Sequence, residues 1–313
     1  MKRFVLPLIC SLLASAMSEM VSRAEEAVTH SFLGLGSANG ATIYNDSGEV
    51  EWKFELPSSD GWVLENGNVL LALYPNEKYP KGGVVEVDRK TKEIVFSYQG
   101  TRKEISTAQL LPDDTLLIAE LGDSPQAVVV NRDGNVISKM PLACQIENAH
   151  MQTRMLRVLP NGNYIAPHLL DFAVKEYDPA TGKVVRTFPT DDRGREKHDW
   201  PFTAIRLSNG NTVIGCTNGN RVIEIDNEGE IVWSVSNEDI GEELISDACG
   251  VQRLPNGNTV ITSYHGGGPD KVKLIEVTPE KKIVWRFSAG TNPFHHFQIL
   301  TTNGKPVKDN TWK

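Results

Sequence analysis

Leu159-Pro160-Asn161-Gly162-Asn163 is the stretch that decides the fold, because its pattern returns along the chain. Exact or looser copies begin at five further leucines: Leu64, Leu111, Leu207, Leu254 and Leu300. The leading leucines are 47, 48, 48, 47 and 46 residues apart. Asn-Gly between apolar runs is a strong hairpin signal, in which both turn residues must tolerate positive φ. So regular a period predicts a repeat architecture of six units.

The unit around Asn209-Gly210 contains four short apolar segments that are separated by turn residues. It predicts antiparallel strands at residues 202–207, 212–217, 221–226 and 231–233. After residue 24 no segment keeps a 3.6-residue apolar period, so we expect very little helix. Four-stranded units repeated around a ring are the blades of a β-propeller. The fold class is therefore predicted to be all-β, a six-bladed β-propeller of four-stranded blades.

The two ends of the repeat region predict how the ring closes. Residues 32–37, 41–46 and 50–52 match the second, third and fourth strands of a unit that lacks its first strand. Residues 294–300 would supply that first strand from the other end of the chain. A stacked β-solenoid is the alternative, but it gives shared ends no purpose, whereas a ring needs them to close.

The first 24 residues have the pattern of a secretory signal peptide. Lys2 and Arg3 precede an apolar run over residues 4–17, and small residues follow near Ala24. The run is too short for a membrane span, which takes roughly 20 apolar residues. We therefore predict residues 1–24 as a signal peptide and residues 25–313 as one propeller domain, exported to the periplasm or the extracellular space. We expect it to be a monomer.

Composition narrows the classes of partner and cofactor. Loss of residues 1–24 would move the formal charge from −8 to −10, so nucleic acid is not an expected partner. The remaining cysteines, Cys144, Cys216 and Cys249, have no Cys-x-x-Cys spacing. They form neither a disulfide framework nor a zinc motif, and buried thiols are the simpler interpretation.

The third and fourth strands also carry a family resemblance. The run from Tyr177 to Val185, with Thr181-Gly182-Lys183 in its turn, resembles the repeat of pyrroloquinoline-quinone (quinoprotein) alcohol dehydrogenases. Leu-Pro-Asn-Gly-Asn with a closing tryptophan strand resembles arylsulfotransferase-like propellers. The resemblance implies that three repeat tryptophans stack between blades as scaffold: Trp52, Trp233 and Trp285.

This sequence departs from the quinone-binding members of that superfamily. Those have eight blades, or six with long insertions, and often an adjacent cysteine pair in the ring. Here there are no adjacent cysteines and each repeat holds little more than one bare blade. A quinone cofactor is therefore disfavoured, and fold alone does not carry function.

Strand directions predict that the long, varied loops share one face, which we call the top face. Propeller function is usually grafted onto such loops. Six of the seven histidines map there, and only His30 maps elsewhere: His150, His168, His198, His265, His295 and His296. Further residues at matching depth or in these loops are Glu120, Arg154, Asp171, Trp200, Cys216 and Asp247.

Imidazoles and carboxylates around an axis could hold a metal ion or act as acid and base. We predict His150, His198, His296 and Arg154 as catalytic residues, with Arg154 positioning an anionic group. The same three histidines are candidate ligands of one divalent metal. Predicted ligand-binding residues are Glu120, His168, Asp171, Trp200, Asp247, His265 and His295, with Trp200 available to stack on a sugar. Each histidine could equally be a capping or solvent-facing group.

Three functions remain open from the sequence. The first is a lyase or hydrolase that acts on a small polar, carbohydrate-type ligand. The second is a non-catalytic propeller that binds a ligand or a protein through its top loops. The third is quinone-dependent oxidoreduction, against which the departures above argue.

Overall fold

A computed structural model describes residues 27–36, 40–190, 197–288, 290 and 293–307. The predicted signal peptide, residues 1–24, lies outside the described residues. Within them, no helix has the length and apolar character that crossing a membrane requires.

The described strands form six antiparallel sheets, each of which is one blade. Blade 1 comprises β1 (His30–Gly36), β2 (Gly40–Tyr44), β3 (Val50–Phe54), β24 (His296–Thr302) and β25 (Lys305–Pro306). Blade 2 comprises β4 (Ser58–Val63), β5 (Val69–Leu73), β6 (Gly83–Val87) and β7 (Ile94–Gln99). Blade 3 comprises β8 (Glu104–Leu110), β9 (Leu116–Leu121), β10 (Gln126–Val130) and β11 (Val136–Pro141).

The remaining blades follow the same order. Blade 4 comprises β12 (Arg157–Val158), β13 (Tyr164–His168), β14 (Ala173–Asp178) and β15 (Lys183–Pro189). Blade 5 comprises β16 (Pro201–Arg206), β17 (Thr212–Cys216), β18 (Arg221–Ile225) and β19 (Ile231–Ser236). Blade 6 comprises β20 (Val251–Arg253), β21 (Thr259–Gly267), β22 (Val272–Val277) and β23 (Ile283–Ser288). The described helices are the 3-10 turn Ala149–Met151 and α1 (Asn237–Ile240). The predicted six-bladed, all-β propeller is confirmed.

The core lies between the blades rather than at one centre. Six apolar clusters each combine buried side chains of two neighbouring blades, including blades 6 and 1. In blade 6, for example, Leu254 and Leu274 pack with Phe32 and Phe297 of blade 1. Because burial of apolar surface is the main favourable term in folding, these six interfaces hold the ring together.

Blade 1 closes the ring from both ends of the chain, as predicted. Strand β24 pairs with β1, and Leu33 lies opposite Gln298. One detail differs from the prediction, because the short strand β25 adds a fifth strand by pairing with β24. Two of the repeat tryptophans contact the next blade, although these contacts are a hydrogen bond and an edge-on approach rather than stacking. Trp233 Nε1 donates to the Pro279 carbonyl of the next blade at 2.8 Å, and Trp285 lies against His30.

The repeated motif forms a tight turn whose geometry differs from the expected one. Gly162 has a φ of 86°, whereas Asn161 is not in the positive-φ region. The Gly162 N–H donates to the Leu159 carbonyl at 2.9 Å, and Asn161 Oδ1 accepts from the Asn163 N–H at 3.0 Å. This is a type I turn followed by a left-handed glycine. The prediction of two positive-φ turn residues was wrong, since the asparagine caps the turn with its side chain instead.

The second asparagine of the motif binds a buried glutamate on the third strand. Asn163 Nδ2 donates to Glu176 Oε1 at 2.7 Å, while Arg206 of the next blade contacts Glu176 Oε2 at 3.2 Å. The arrangement recurs as Asn68–Glu86–Arg132, Asn211–Glu224–Arg253 and Asn258–Glu276–His30. We call these four glutamates, Glu86, Glu176, Glu224 and Glu276, the ladder glutamates. Each ladder glutamate links its blade to the following one through an ion pair with an arginine or, at Glu276, a hydrogen bond with His30.

Two blades lack a ladder glutamate, and both also lack the asparagine that would bind it. Blade 3 has Thr115 at the position of the second asparagine and Val129 in place of the glutamate. Blade 1 has Gly304 and Ile43 at the same two positions. Because a buried carboxylate without a donor is costly, the asparagine and the glutamate are expected to occur together.

Candidate functional site

Each of the six blades contributes one polar or aromatic side chain to a cluster on the top face of the ring. In blade order these are His295, Tyr74, Glu104, Arg154, Phe202 and Tyr264. They sit near the start of the innermost strand of a blade or at the end of its second strand. We call these six residues, together with His150, the top-face cluster. The fold thus brings together residues that are far apart in sequence.

The polar half of the cluster is a fixed carboxylate that holds an exposed histidine. Arg154 Nη1 donates to Glu104 Oε1 at 2.5 Å, and Arg154 Nη2 donates to the His150 carbonyl. His150 Nδ1 lies 3.3 Å from both carboxylate oxygens of Glu104. The Arg154 and Glu104 side chains are 1% and 10% exposed, whereas that of His150 is 53% exposed. Of these three side chains, only the His150 imidazole is therefore exposed to solvent.

Electrostatics keep this carboxylate ionised. Burial alone would raise the pKa of Glu104, but the charge of Arg154 and the hydrogen bond from His150 lower it to about 2. An ionised carboxylate accepts a hydrogen bond from Nδ1–H of the imidazole, which leaves Nε2 with its lone pair. Such a histidine can take a proton from a ligand.

The aromatic half of the cluster surrounds His295. Its ring stacks on Tyr264 at 4.1 Å between centroids and lies parallel to Phe202 at 5.8 Å. Burial, helped by the charges of Arg154 and His150, lowers the pKa of His295 to about 3. His295 is therefore neutral at physiological pH, and its buried Nδ1 has no hydrogen-bond partner among the described residues.

Tyr74 joins the two halves. Its ring lies 6.0 Å from that of His150 and 6.1 Å from that of His295. The hydroxyl is buried and has no hydrogen-bond partner within the described part of the chain. Burial raises the pKa of Tyr74, so the hydroxyl keeps its proton. An unsatisfied buried donor costs about 1–3 kcal/mol, and a ligand oxygen would recover that energy.

Three other predicted residues lie beside the cluster. His265 Nε2 lies 2.8 Å from Asp247 Oδ2, and burial raises the pKa of Asp247. Trp200 packs against the apolar group that contains Phe202 and Cys249. Burial also raises the pKa of the Cys249 thiol to about 12, so this cysteine is not a thiolate nucleophile. These residues shape the surroundings of the cluster.

The predicted metal set is not assembled. His150 contacts Glu104, the exposed His198 lies 5.2 Å from the Phe172 ring, and the buried His296 lies 3.4 Å from Arg157 Nη2. Over residues 27–36, 40–190, 197–288, 290 and 293–307, no three His, Cys, Asp or Glu side chains are grouped as ligands of a metal ion. The three histidines share one face but do not meet.

His296 instead belongs to a buried ion pair across the axis. Arg157 of blade 4 donates to both carboxylate oxygens of Asp60 of blade 2, at 2.8 and 2.9 Å. His296 Nε2 lies 3.7 Å from Asp60 Oδ1. Blades 2 and 4 are not neighbours in the ring, so this bidentate pair braces it from the inside.

Three predicted ligand-binding residues form hydrogen bonds within or between the blades. The buried Glu120 carboxylate accepts from Tyr98, Thr101 and Gln126. His168 lies 2.8 Å from the Tyr177 hydroxyl, and burial with the nearby Lys175 charge lowers its pKa to about 3. Asp171 accepts from Lys175 Nζ at 2.5 Å. The structure gives these side chains internal partners rather than a place in the cluster.

Sequence reasoning missed Glu104, Tyr74, Tyr264 and Phe202. A signal for Glu104 was present, because it is a charged residue at the beginning of a buried first strand. Asp60 and Arg157 are likewise charged residues in the first strands of their blades. No comparable signal marks the aromatic residues, since repeat spacing gives depth along a strand but not side-chain direction.

Arg154 was predicted as a residue that binds an anionic group of the ligand. The structure uses its guanidinium to hold Glu104 and the His150 carbonyl. A buried guanidinium with a buried carboxylate orients its neighbours and has little charge left for a ligand. Arg154 is therefore a positioning residue.

No protein-family model matches the sequence, and no curated protein has a matching sequence. Solved structures do match. A protein of unknown function from Bacteroides caccae has a TM-score of 0.73 and 22% identity, over 90% of this chain and all of that one. Virginiamycin B lyase from Staphylococcus aureus has a TM-score of 0.55 and 12% identity, over 83% and 85% of the two chains.

A catalytically inactive histidine-to-alanine variant of that lyase, with quinupristin, matches at a TM-score of 0.55 and 11% identity, over 83% of this chain and 84% of that one. At these identities the likeness shows the propeller fold. The resemblance to quinoprotein and arylsulfotransferase-like repeats stays a prediction.

Proposed function

We propose that the chain is a lyase whose general base is His150, acting on a small carbohydrate-type ligand bound at the top-face cluster. The observation that carries the proposal is the exposed His150 imidazole beside the ionised, Arg154-held Glu104 carboxylate. A base of this kind, oriented by a buried partner, is the arrangement that proton abstraction requires. A propeller lyase among the structural neighbours is consistent with this reaction class.

The proposed elimination uses one base and one donor. His150 Nε2 takes the proton from a carbon next to a carbonyl or carboxylate group of the ligand. The electron pair of that C–H bond forms a C=C bond, and the C–O bond to the leaving group breaks. The leaving oxygen takes a proton from the Tyr74 hydroxyl, and the proton on His150 returns to the tyrosine through water. The partly exposed Tyr264 ring would form a wall against which the ligand packs, with the neutral His295 ring stacked behind it.

Hydrolysis by the same histidine is a variant of this proposal, in which His150 activates a water molecule. Product analysis separates the two, because hydrolysis adds one water to the products and elimination adds none. We also propose that the protein acts outside the cytoplasm, because residues 1–24 have the pattern of a secretory signal peptide.

The test is turnover of uronic-acid oligosaccharides by the wild type and by His150→Gln. We expect His150→Gln to lower kcat by about 10²- to 10⁴-fold, because glutamine cannot accept the proton. His198→Gln is the contrasting variant, since that imidazole lies apart from the cluster. Loss of turnover in His198→Gln with full activity in His150→Gln would refute the assignment.

A binding propeller without chemistry is the second candidate. The aromatic group of Tyr74, His295, Tyr264 and Phe202 favours it, because sugars also stack on such rings in non-catalytic sites. It predicts saturable glycan binding that His150→Gln leaves intact and no product in either protein.

A further inference from the structure

A groove of about 420 Å³ lies on the top face between blades 2 and 3. It is lined by Pro80, Lys81, Thr101, Arg102, Lys103 and Asp123. Lys103 directly precedes Glu104, the residue that begins β8 and holds His150. The groove therefore adjoins the top-face cluster along the chain.

The groove carries positive charge on an acidic protein. Three of its side chains are cationic and one is anionic, whereas the whole chain has a formal charge of −8. Lys103 Nζ pairs with Asp123 Oδ1 at 2.5 Å. The other two cations remain uncompensated by any carboxylate in the groove.

These two cations are available to a ligand. Lys81 Nζ donates to the Thr101 carbonyl at 3.3 Å, a contact that leaves its charge unneutralised. Arg102 has no ion-pair partner among the described residues, and its Nε is buried without a hydrogen-bond partner. A half-buried guanidinium that lacks a carboxylate is suited to an incoming planar anion, which it can bind with two parallel hydrogen bonds.

A second groove shows that space alone does not create this property. It has a volume of about 520 Å³ and lies between blades 1 and 2 at the opposite end of the strands. Its two cations, Arg89 and Lys90, are matched by two anions, Glu51 and Asp88. Arg89 Nη2 pairs with Glu51 at 2.5 Å. The larger groove is thus neutral, and of these two grooves it is the one beside the cluster that has spare positive charge.

We propose that the groove beside the cluster is a subsite for the carboxylate group of an acidic saccharide, held by Arg102 and Lys81. This inference rests on the proposed function and deepens it, because it makes the substrate an oligosaccharide of uronic acids. One sugar would lie at His150 while the carboxylate of a neighbouring sugar would reach the groove. The sugar at His150 would carry a carboxylate of its own, and that group acidifies the adjacent C–H bond, which is the bond that the proposed elimination breaks.

The test measures binding without turnover. The probes are a trimer of galacturonic acid and its methyl ester, which differ in charge but not in sugar ring. Isothermal titration calorimetry with His150→Gln protein gives affinities in the absence of reaction. We expect the acid to bind to His150→Gln protein more tightly than the ester does. Adding Lys81→Gln/Arg102→Gln to His150→Gln should weaken the binding of the acid by about tenfold. The ester should be unaffected.

The matched control is Arg89→Gln/Lys90→Gln in the neutral groove, which should leave both affinities unchanged. Equal affinity of acid and ester, or no effect of Lys81→Gln/Arg102→Gln, would overturn the subsite. Tight, groove-dependent binding with no turnover by the wild type would uphold the subsite and refute the lyase. His150-dependent turnover of acid and ester at equal rates would do the reverse.

Discussion

Glu104 and the four ladder glutamates are all buried, but their partners differ. Glu224 accepts from an asparagine of its own blade and from a cation of the next, Arg253. The other ladder glutamates are bound in the same way, with His30 in the place of the cation at Glu276. Glu104 also binds an arginine, but its remaining contact is an imidazole that is 53% exposed. The two glutamates thus differ in the partner that accompanies the arginine. A carboxylate bound only by side chains of the blades holds those blades together, whereas one that holds an exposed imidazole can prepare it for chemistry.

The largest effect is expected at Glu104, where replacement tests whether this carboxylate serves turnover as well as stability. Replacement by glutamine should lower kcat by at least about 10²-fold, because the amide cannot hold His150 as an ionised carboxylate does. It should also lower the free energy of unfolding by about 3 kcal/mol, because Arg154 is left as an uncompensated buried charge. Steady-state kinetics and urea unfolding measure the two effects.

A double variant separates these effects. Glu104→Gln/Arg154→Met removes the unpaired charge, so stability should recover while turnover stays low. If turnover recovered together with stability, Glu104 would be structural only and the contrast with the ladder would fail.

The opposite result is expected at Glu224. Glu224→Gln should lower the free energy of unfolding by about 2 kcal/mol, since Arg253 loses its carboxylate but keeps some access to water. Turnover should not change, because the ladder lies at the other end of the strands. The exposed pair Glu51–Arg89 provides the control, and Glu51→Gln should cost less than about 1 kcal/mol. Reduced kcat in folded Glu224→Gln would show that the two regions are coupled.

The same contrast explains how far sequence could predict this protein. The Leu-x-Asn-Gly-Asn period gave the number of blades, their strands and the closure, because a turn with a required glycine leaves a local signature. The period also gave the depth of every histidine on the top face. It could not tell that His150 faces solvent while His168 points into a blade.

Side-chain direction and cross-blade pairing are set by packing between residues that are distant in sequence. Glu104 and Arg154 are 50 positions apart, and Asp60 and Arg157 are 97 apart. One chain offers no local pattern for such pairs. The two blades without the ladder are an exception in hindsight, because Thr115 with Val129, and Gly304 with Ile43, change together.

The smallest expected effect concerns acid stability, and it sharpens the comparison within the ladder itself. Burial acts to raise the pKa of Glu276, but hydrogen bonds from His30 and Asn258 outweigh it and lower that pKa. The unfolded chain therefore binds a proton at this carboxyl more readily than the folded chain does. Its stabilising contribution is present above the ordinary glutamate pKa and is lost as pH falls through the lowered one.

Glu276→Gln should accordingly show a shallower fall of unfolding free energy below about pH 4.5 than the wild type. Urea titrations at a series of acidic pH values measure that slope, with Glu51→Gln as the exposed control. An unchanged slope in Glu276→Gln would mean that His30 and Asn258 do not favour the ionised carboxylate, and the interface between blades 6 and 1 would then gain no stability from that charge.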